Sequence, residues 1–298
     1  MTVPFEVRLG TRGSDLALSQ TALVEQALLN KQPALKIERK IIKTSGDNSK
    51  TVDPRAGWKG IFTAEIERAL ISGEIDVAVH SAKDLPSTMS SGAEIGAVLP
   101  RAATHDVLIS KHTGGLDGLP RGAIVATSSV RRQCQMRWKR PDVSIVDVRG
   151  NVPTRLRKLV ENDWDAIVLA RAGLERLGIS LSQFCIEELP EEFFVPAGGQ
   201  GVIAIQVRVH DDRVKSIVHS INDLDILLCL EAEREFLRLL DVDCNAPVGA
   251  LAKIENGMMT MRGQFFQSKA GPPRYGNVSG ARGESLHLAR CLLEQLQK

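Results

Sequence analysis

The sequence predicts an α/β protein of several domains, and three observations lead to this prediction. Short apolar runs alternate with amphipathic stretches along most of the 298 residues. Some runs, such as IDVAVH and DAIVLA, are almost continuously apolar, which is typical of strands covered on both faces. The alternation indicates α/β units, for which we expect mostly parallel sheets. At roughly 100–200 residues per domain, the length predicts two or three domains.

The predicted elements follow one another in a regular order. Strands are predicted at residues 6–10, 37–43, 75–80, 95–99, 123–127, 145–148, 166–170 and 202–207. Amphipathic helices are predicted at 15–30, 62–72, 129–139 and 153–162. After about residue 222 the pattern changes to a long helix (225–240), a loop around Cys244, strand-like segments and a final helix, in which Ala289, Leu292, Leu293 and Leu296 share one face. This change, together with breaks at 100–104 and 190–201, indicates three domains.

The composition excludes several classes of protein. Hydrophobic residues make up 43% and charged residues 25% of the chain, as in ordinary soluble domains, which argues against disorder and excludes collagen-like and coiled-coil architectures. No apolar run approaches the roughly 18 residues of a membrane helix, and no signal pattern opens the chain, so we expect a cytoplasmic protein. The 5 cysteines form no CxxC pair, and the 6 histidines show no metal-binding spacing. We therefore expect neither a disulfide framework nor a metal site.

The charge is concentrated in one segment. Residues 121–160 contain ten basic and two acidic side chains, which give the segment a charge of +8. The whole chain carries only +2, so the remainder carries −6. A basic segment on a nearly neutral chain indicates an anionic partner, such as nucleic acid, phosphate or a polycarboxylate.

The basic and hydroxyl side chains recur where predicted strands end. The residues at these strand ends are Arg12, Ser14, Lys83, Asp84, Thr127, Ser128, Ser129, Arg131, Arg132, Arg149 and Gly150. In open α/β sheets, ligands bind beyond the carboxyl ends of the strands, and helix N-termini there favour anions. A single arginine is more often a solvated or structurally paired charge. Four strand ends with the same chemistry favour a binding site.

Two kinds of anionic ligand are compatible with these strand ends. Nucleic acid is the less favoured, because aromatic residues are only 4% of the chain and stacking surfaces for bases are scarce. A small ligand with several carboxylates fits better. Asp84 is the one acid among these residues, and its carboxylate either holds a ring N–H or developing cation, or forms an ion pair that ends the strand.

Cys244 lies in the loop LDVDCNAPVG between the long helix and the following strand. The neighbouring Asp241 and Asp243 disfavour the thiolate, which argues against a turnover nucleophile. An inert buried thiol is the usual state of a free cysteine, so the local sequence leaves the role of Cys244 open.

Seven motifs occur in an order that resembles the porphobilinogen deaminase (hydroxymethylbilane synthase) family. They are TRGSDLALSQ, WKGIF, DVAVHSAKDLP, ATSSVRRQCQ, RGNVPTRLRKL, DAIVLARAGLERLG and PAGGQG. The resemblance runs from Arg8 to about Arg208 and resumes around Cys244. It implies three domains, two of them like the lobes of type II periplasmic binding proteins, at 1–100 with 198–219 and at 104–194. The third, a small α+β domain at 222–298, would carry a dipyrromethane cofactor.

The resemblance also implies an activity and roles for residues. Members of the family are monomeric transferases that join four porphobilinogen molecules, with release of ammonia, into hydroxymethylbilane for haem synthesis. Asp84 matches the catalytic aspartate, and Cys244 the cysteine that holds the dipyrromethane as a thioether. Lys59 and Phe62 match a mobile loop over the cleft. The cofactor- and substrate-binding residues would be Arg12, Ser14, Lys83, Thr127, Ser128, Ser129, Arg131, Arg132, Arg149, Gly150, Arg155 and Arg176.

One departure from the family motivates an alternative function. The family commonly has two glycines before the cysteine, where this chain has Val242 and Asp243. The alternative is a divergent, non-catalytic protein that binds tetrapyrroles or other polycarboxylates in the same cleft. A nucleic-acid-binding module is a more distant third possibility, which steeply salt-dependent binding to duplex DNA would support.

Overall fold

A computed structural model describes residues 6–44, 63–241, 246–268 and 271–297. Its strands are β1 (Glu6–Thr11), β2 (Lys36–Ile41), β3 (Val77–Ser81), β4 (Ala93–Val98), β5 (Asp106–Ser110), β6 (Ile124–Ala126), β7 (Ser144–Val146), β8 (Ala166–Ala170), β9 (Cys185–Glu188), β10 (Ile203–Arg208), β11 (Val248–Glu255), β12 (Met258–Phe265) and β13 (Arg274–Ala281). Its helices are α1 (Asp15–Lys31), α2 (Ala64–Ile71), α3 (Val130–Lys139), α4 (Val152–Glu161), α5 (Arg171–Leu177), α6 (Asp212–His219), α7 (Leu224–Leu239) and α8 (Ser285–Gln297). A short 3₁₀ turn, Ala82–Asp84, follows β3.

The strands of the described residues form three sheets, and the α/β fold class is confirmed. The first sheet has the order β2-β1-β3-β10-β4, the second β7-β6-β8-β5-β9, and the third β11-β12-β13. Both of the first two sheets contain continuously apolar strands, and these lie between helices. Strand β5, for example, is buried along its whole length, which matches the reason given for predicting α/β units.

The expectation of mostly parallel sheets is wrong: four of the eight strand pairs described in the first two sheets are antiparallel, and so are both pairs of the third sheet. In the first sheet β1 pairs in parallel with β2 and β3, whereas β10 pairs antiparallel with β3 and β4. In the second sheet β6 pairs in parallel with β7 and β8, whereas β5 pairs antiparallel with β8 and β9. Burial on both faces produces an apolar run whatever the direction of the neighbouring strand, so the pattern carries no information on orientation.

Four elements were not predicted from the sequence: β5, β9, α5 and α6. Strand β5 begins at Asp106, a charged residue just beyond the predicted break at 100–104, yet Asp106 is fully buried. Helices α5 and α6 span 7 and 8 residues, too few to show a clear helical period. The predicted final helix is confirmed as α8, and Ala289, Leu292 and Leu296 are buried as expected.

The third sheet packs against two helices. Helices α7 and α8 cover one face, and their apolar side chains join those of β11 and β12 in a single core around Phe236 and Leu292. This is the predicted small α+β unit. No helix among the described residues is long and apolar enough to cross a membrane.

Two chain segments, 99–105 and 189–202, run between the first two sheets. The second contains PAGGQG, and Gly199 and Gly201 have φ angles of 76° and 85°. A Cβ at Gly199 would lie 2.9 Å from the backbone of Ala82 and Lys83, and one at Gly201 would lie 2.4 Å from the Ala102 carbonyl oxygen. Glycine is therefore required here, because the segment packs backbone to backbone against the turn that carries Asp84.

Candidate active site

The first group of site residues lies at the ends of β1 and β3. These strands are parallel neighbours, so their carboxyl ends reach the same edge of the first sheet. A cavity of about 60 Å³ opens there, and its wall includes Arg12, Ser14, His80 and Asp84. Asp84 itself is exposed on the 3₁₀ turn. The structure thus brings together the residues that the sequence placed after two separate strands.

Helix α1 begins at this cavity. The Ser14 side chain caps the helix by accepting a hydrogen bond from the Ala17 amide at 3.4 Å. One turn further, the Gln20 amide donates to Ser81 Oγ at 2.8 Å, which joins the helix to the end of β3. The positive end of the α1 dipole therefore faces the cavity.

The hydroxyl residues after β6 hold the loops of the second sheet together. Ser128 Oγ donates to the Val148 carbonyl at 2.8 Å and accepts from the Val148 amide at 2.9 Å. Thr127 Oγ1 accepts a longer bond, 3.3 Å, from the Ser129 amide. The Ser129 side chain makes no capping bond at the start of α3. Of the three predicted donors, Ser128 is therefore engaged in positioning the loop.

Arg131 and Arg132, on the first turn of α3, are buried around a single carboxylate. Arg131 Nη1 lies 2.8 Å from one oxygen of Asp106, and Arg132 Nη2 lies 2.7 Å from the other. Gln200 Nε2 donates to the same Asp106 group at 2.8 Å. All four side chains are at least nine-tenths buried. Two cations thus share one buried anion, which leaves an excess of positive charge.

The two arginines differ in what they have left to offer a ligand. Arg131 Nη1 also donates to Gln135 Oε1 at 2.9 Å and to the Val195 carbonyl at 3.0 Å. Arg132 Nη1 donates to the Val168 carbonyl at 3.1 Å, but its buried Nε has no hydrogen-bond partner among the described residues. Arg132 is therefore the better placed of the two to bind a further acceptor.

The remaining predicted cations lie on the loop after β7 and on helices α4 and α5. Gly150 has a φ of 117°, and its carbonyl accepts from Arg155 Nε at 2.7 Å. Arg149 is exposed just before this turn. Arg176 Nη2 donates to the Gly201 carbonyl at 2.6 Å, while its buried Nε has no partner within the described ranges. Arg176, on helix α5, thus contacts the segment 189–202 that runs between the first two sheets.

Electrostatic coupling shows that the two groups of residues face one cleft. Burial lowers the pKa of Lys83 to about 8; the Asp84 and Asp106 charges oppose that shift, and Arg132 adds to it. Burial lowers the pKa of Arg155, whose charge also interacts with Arg132 and Asp84. Lys83 and Asp84 belong to the first sheet, and the others to the second. Among the described residues, the cleft between the sheets thus combines cations whose pKa values burial lowers with the exposed carboxylate of Asp84.

Burial also acts on the other cations of the cleft. It lowers the pKa of Arg176 to about 10, and it lowers the pKa of Arg131 despite the opposing Asp106 charge. Asp106 shows the converse effect, because the two arginines hold the pKa of its carboxyl well below the usual range although burial itself acts to raise it. A bound polyanion would relieve the shortage of negative charge in the cleft.

Three predicted residues lie outside the described part of the chain: Lys59, Phe62 and Cys244. Conversely, sequence reasoning missed Gln20, His80, Asp106 and Gln200, which the structure places in or under the cleft. His80 and Gln20 stand inside motifs noted for their neighbours, DVAVHSAKDLP and TRGSDLALSQ. For Asp106 the available signal was an acid directly before the apolar run VLI.

Comparison with known proteins identifies relatives of the whole chain. Residues 7–216 match the family model "Porphobilinogen deaminase, dipyromethane cofactor binding domain", and residues 227–292 match "Porphobilinogen deaminase, C-terminal domain". A porphobilinogen deaminase from Syntrophomonas wolfei is 44% identical and spans 97% of this chain and 95% of its own. One from Syntrophobacter fumaroxidans is 39% identical over 98% of each chain.

Solved structures with similar folds are more distant. The methionine-binding protein MetQ matches 72% of this chain and 89% of its own at 14% identity, with a TM-score of 0.46. The periplasmic VFT2 domain of Bordetella pertussis BvgS matches 72% and 86% at 16% identity, with a TM-score of 0.43.

Proposed function

This chain belongs to the porphobilinogen deaminase family, and we propose that the cleft between its first two sheets carries out the reaction of that family. The reaction condenses four porphobilinogen molecules stepwise, releases ammonia at each step and yields the linear tetrapyrrole hydroxymethylbilane. The chain is a transferase of tetrapyrrole and haem synthesis. Relatives of nearly full length named for this enzyme favour catalysis over the non-catalytic alternative.

One observation on the molecule itself carries the proposal. Two guanidinium Nε groups, of Arg132 and Arg176, are buried without a hydrogen-bond partner among the described residues. Buried donors without acceptors are rare in folded proteins, because an unmade hydrogen bond there costs about 1–3 kcal/mol. Both lie in a cleft whose cations outnumber its carboxylates, so a ligand with several carboxylates supplies the missing acceptors.

The same test applies to the dipyrromethane cofactor, which carries carboxylate side chains as porphobilinogen does. The residues present fit such a group, and we assign its binding to Lys83, Arg131, Arg132, Arg149, Arg155 and Arg176, with Thr127, Ser129 and the Gly150 turn as neutral neighbours. When bound, the cofactor supplies the terminal pyrrole carbon to which the first porphobilinogen is joined. Arginine suits this role because its planar fork binds a carboxylate through two hydrogen bonds.

Asp84 is the catalytic residue in this proposal. Its carboxylate accepts a hydrogen bond from the pyrrole N–H of porphobilinogen and stabilises the positive charge that develops on the ring as ammonia leaves. The Asp84 charge acts on the neighbouring cations Lys83 and Arg155, whose pKa values it raises against the effect of burial. The exposed position of Asp84 on the 3₁₀ turn leaves the carboxylate open toward the cleft. Arg12 and Ser14 bind a substrate carboxylate at the α1 end.

The remaining assignments rest on matches to the family motifs. We propose Cys244 as the thioether attachment residue, and Lys59 and Phe62 as parts of a segment over the cleft. We also propose domain boundaries at 1–100 with 198–219, at 104–194 and at 222–298, since each interval contains the strands of one sheet. A monomer that acts in the cytoplasm, without nucleic acid, completes the proposal.

Intact-mass measurement tests the cofactor assignment. Protein purified from a host that makes porphobilinogen should exceed the mass of the bare chain by a two-pyrrole unit, and Cys244→Ala should show the bare mass and release no ammonia. The control is Cys185→Ala, because Cys185 is a half-buried free thiol away from the cleft and its loss should leave both the added mass and the activity. An unmodified wild-type chain that turns over porphobilinogen would contradict the assignment.

The Lys83 ammonium predicts a pH dependence. Because its pKa is lowered to about 8, the protein without cofactor loses this charge as the pH rises through 8. The cofactor carboxylates would raise this pKa once bound, so we expect the effect on cofactor loading: the rate at which the cofactor-free protein takes up its two-pyrrole unit should fall above about pH 8. In Lys83→Arg the guanidinium stays charged, so the fall at alkaline pH should shift to a higher pH. If the profiles of wild type and Lys83→Arg fall at the same pH, Lys83 is not the group that titrates.

A further inference from the structure

Gln135 and Gln264 form a buried bridge between helix α3 and the third sheet, and the proposed function gives neither of them a role. Gln135 lies on α3, one turn after Arg131, and Gln264 lies near the end of β12. Both side chains are fully buried, although they are 129 positions apart in the chain. Their amides meet, because Gln135 Nε2 donates a hydrogen bond to Gln264 Oε1 at 2.5 Å. A polar contact inside the protein thus joins α3 to the third sheet.

The groups at the two ends of the bridge allow only one orientation of the amides. At one end, Gln135 Oε1 accepts from Arg131 Nη1 at 2.9 Å, and a guanidinium can only donate. At the other end, Gln264 Nε2 donates to the Phe193 carbonyl at 2.9 Å, and a carbonyl can only accept. If either amide turned over, donors would face donors and acceptors would face acceptors in a buried site. The third sheet therefore determines how the acceptor is presented to Arg131.

Further contacts hold the bridge in this arrangement. Gln135 Nε2 also donates to the Val195 carbonyl at 2.9 Å, and Gln264 Nε2 also donates to the Tyr275 hydroxyl. The ring of Trp138 packs against the Tyr275 ring, with 5.8 Å between the ring centroids. Each amide nitrogen thus has two acceptors for its two N–H bonds. A buried network in which every member has its partners rigidifies the groups that are bonded to it.

Arg131 is held through one nitrogen of its guanidinium. Each of its side-chain hydrogen bonds among the described residues uses Nη1, whose acceptors are Asp106, Gln135 and the Val195 carbonyl, at 2.8, 2.9 and 3.0 Å. Three acceptors around one nitrogen fix the plane of the guanidinium, whereas the edge formed by Nε and Nη2 is left for a ligand. A carboxylate binds such an edge through two parallel hydrogen bonds, so the angle of the plane matters for binding.

We propose that Gln264 is a positioning residue, which acts through Gln135 to hold the Arg131 guanidinium at the angle at which Nε and Nη2 bind a dipyrromethane carboxylate. This rests on the proposed function, because it needs the cofactor in the cleft. The part of the chain that would carry the cofactor on Cys244 then also orients an arginine that binds it. Tight binding of this carboxylate consequently requires the third sheet to be docked against α3.

Binding of a soluble dipyrromethane with its carboxylate side chains tests this role. It is measured on the full-length Cys244→Ala protein, which cannot attach the compound. In this background Gln264→Met keeps the length of the side chain and removes its acceptor. We expect Kd to rise about five-fold, which is within the net contribution of one hydrogen bond, and Gln135→Met should raise it at least as much. An unchanged Kd in either variant would overturn the proposal.

A double variant shows whether Gln264 acts through Gln135. When Gln135→Met and Gln264→Met are combined, we expect the Kd of Gln135→Met alone, because the connection to Arg131 is already broken. Two separate structural effects would instead multiply, and the combined rise in Kd would then be about 25-fold. Multiplied effects contradict the proposal.

Two controls separate positioning from a general loss of stability. Met259→Ala opens a cavity in the core beside the third sheet, and it should lower the midpoint of chemical denaturation without changing Kd. Tyr275→Phe removes one acceptor of Gln264, but the Phe193 carbonyl still holds the amide, so Kd should stay within about two-fold of the parent value. A rise in Kd for Met259→Ala that equals the rise for Gln264→Met would refute the positioning role.

A second variant at position 264 covers the case in which Gln264→Met does not fold. The amide of Gln264→Asn stays polar but is one methylene too short to reach Gln135, and it should raise Kd as Gln264→Met does. A parent-like Kd in Gln264→Asn counts against the proposal. Failure of the proposed function gives a different result, because the Cys244→Ala protein then does not bind the dipyrromethane before any further substitution is made.

Discussion

Replacing Asp84 with alanine lowers kcat for porphobilinogen by about 10²–10³-fold, while the protein remains folded. The size follows from the loss of the group that stabilises developing charge in a desolvated cleft, where removal of one such partner costs about 10²–10³ in rate. The variant also leaves Lys83 and Arg155 without the nearby carboxylate that interacts with their charges. Ammonia release and tetrapyrrole formation measure the effect.

The fold is expected to survive because Asp84 is exposed on its turn. Substitutions at exposed positions usually change stability by no more than about 0.5 kcal/mol. Asp163→Ala, at an exposed aspartate outside the cleft, is the control and should keep full activity. Asp84→Glu keeps the charge but displaces it, and we expect it to fall between the two. Wild-type turnover in Asp84→Ala would remove Asp84 from the catalytic role.

Replacing Asp106 with alanine destabilises the protein by about 3–5 kcal/mol, since it leaves buried charges without a partner. Asp106 is fully buried and accepts from Arg131, Arg132 and Gln200, at 2.8, 2.7 and 2.8 Å. Without it, two neighbouring guanidinium groups repel each other in a desolvated site. Chemical denaturation measures the loss, and Glu161→Ala, which removes an exposed ion pair with Arg157, should change stability by at most about 1 kcal/mol.

The same residue predicts how stability depends on pH. The two arginines hold the pKa of the Asp106 carboxyl below its usual range in the folded state. Its contribution to the free energy of unfolding is therefore fully present above the ordinary carboxyl pKa of about 4 and is lost as the pH falls toward the folded pKa. Wild type should lose stability below about pH 4 more steeply than Asp106→Asn, which has no carboxyl to protonate. Parallel curves for the two proteins would contradict this account.

Much of the site was predictable because ligand-binding residues follow the carboxyl ends of strands. The end of β8 coincides with the predicted strand, and the strand ends after β1, β3 and β6 lie close to the predicted positions. Arg12 and Asp84, 72 positions apart in the chain, were therefore assigned to the same edge of a sheet, and the structure places both at one cavity. Local apolar pattern suffices for such assignments.

The burial of polar groups was not predictable. Asp106 and His80 are both at least nine-tenths buried, yet no element was predicted at Asp106, and His80 stands in the apolar run IDVAVH. Their burial depends on partners far along the chain, such as Gln200 for Asp106. Residue type alone indicates exposure for both, since charged groups are buried only where a partner compensates for lost hydration.

By itself, the sequence determined the α/β class, the basic segment, the ordered family motifs and the residues that follow the strands, because these depend on local period and residue type. Tertiary structure alone decided the strand directions, the sharing of Asp106 by Arg131 and Arg132, and the neutral state of His80. The physical reason is that pairing direction, burial and pKa are set by atoms that meet only after the chain has folded. These long-range contacts distinguish Arg131, whose Nη1 donates to three protein acceptors, from Arg132, whose buried Nε has no hydrogen-bond partner among the described residues.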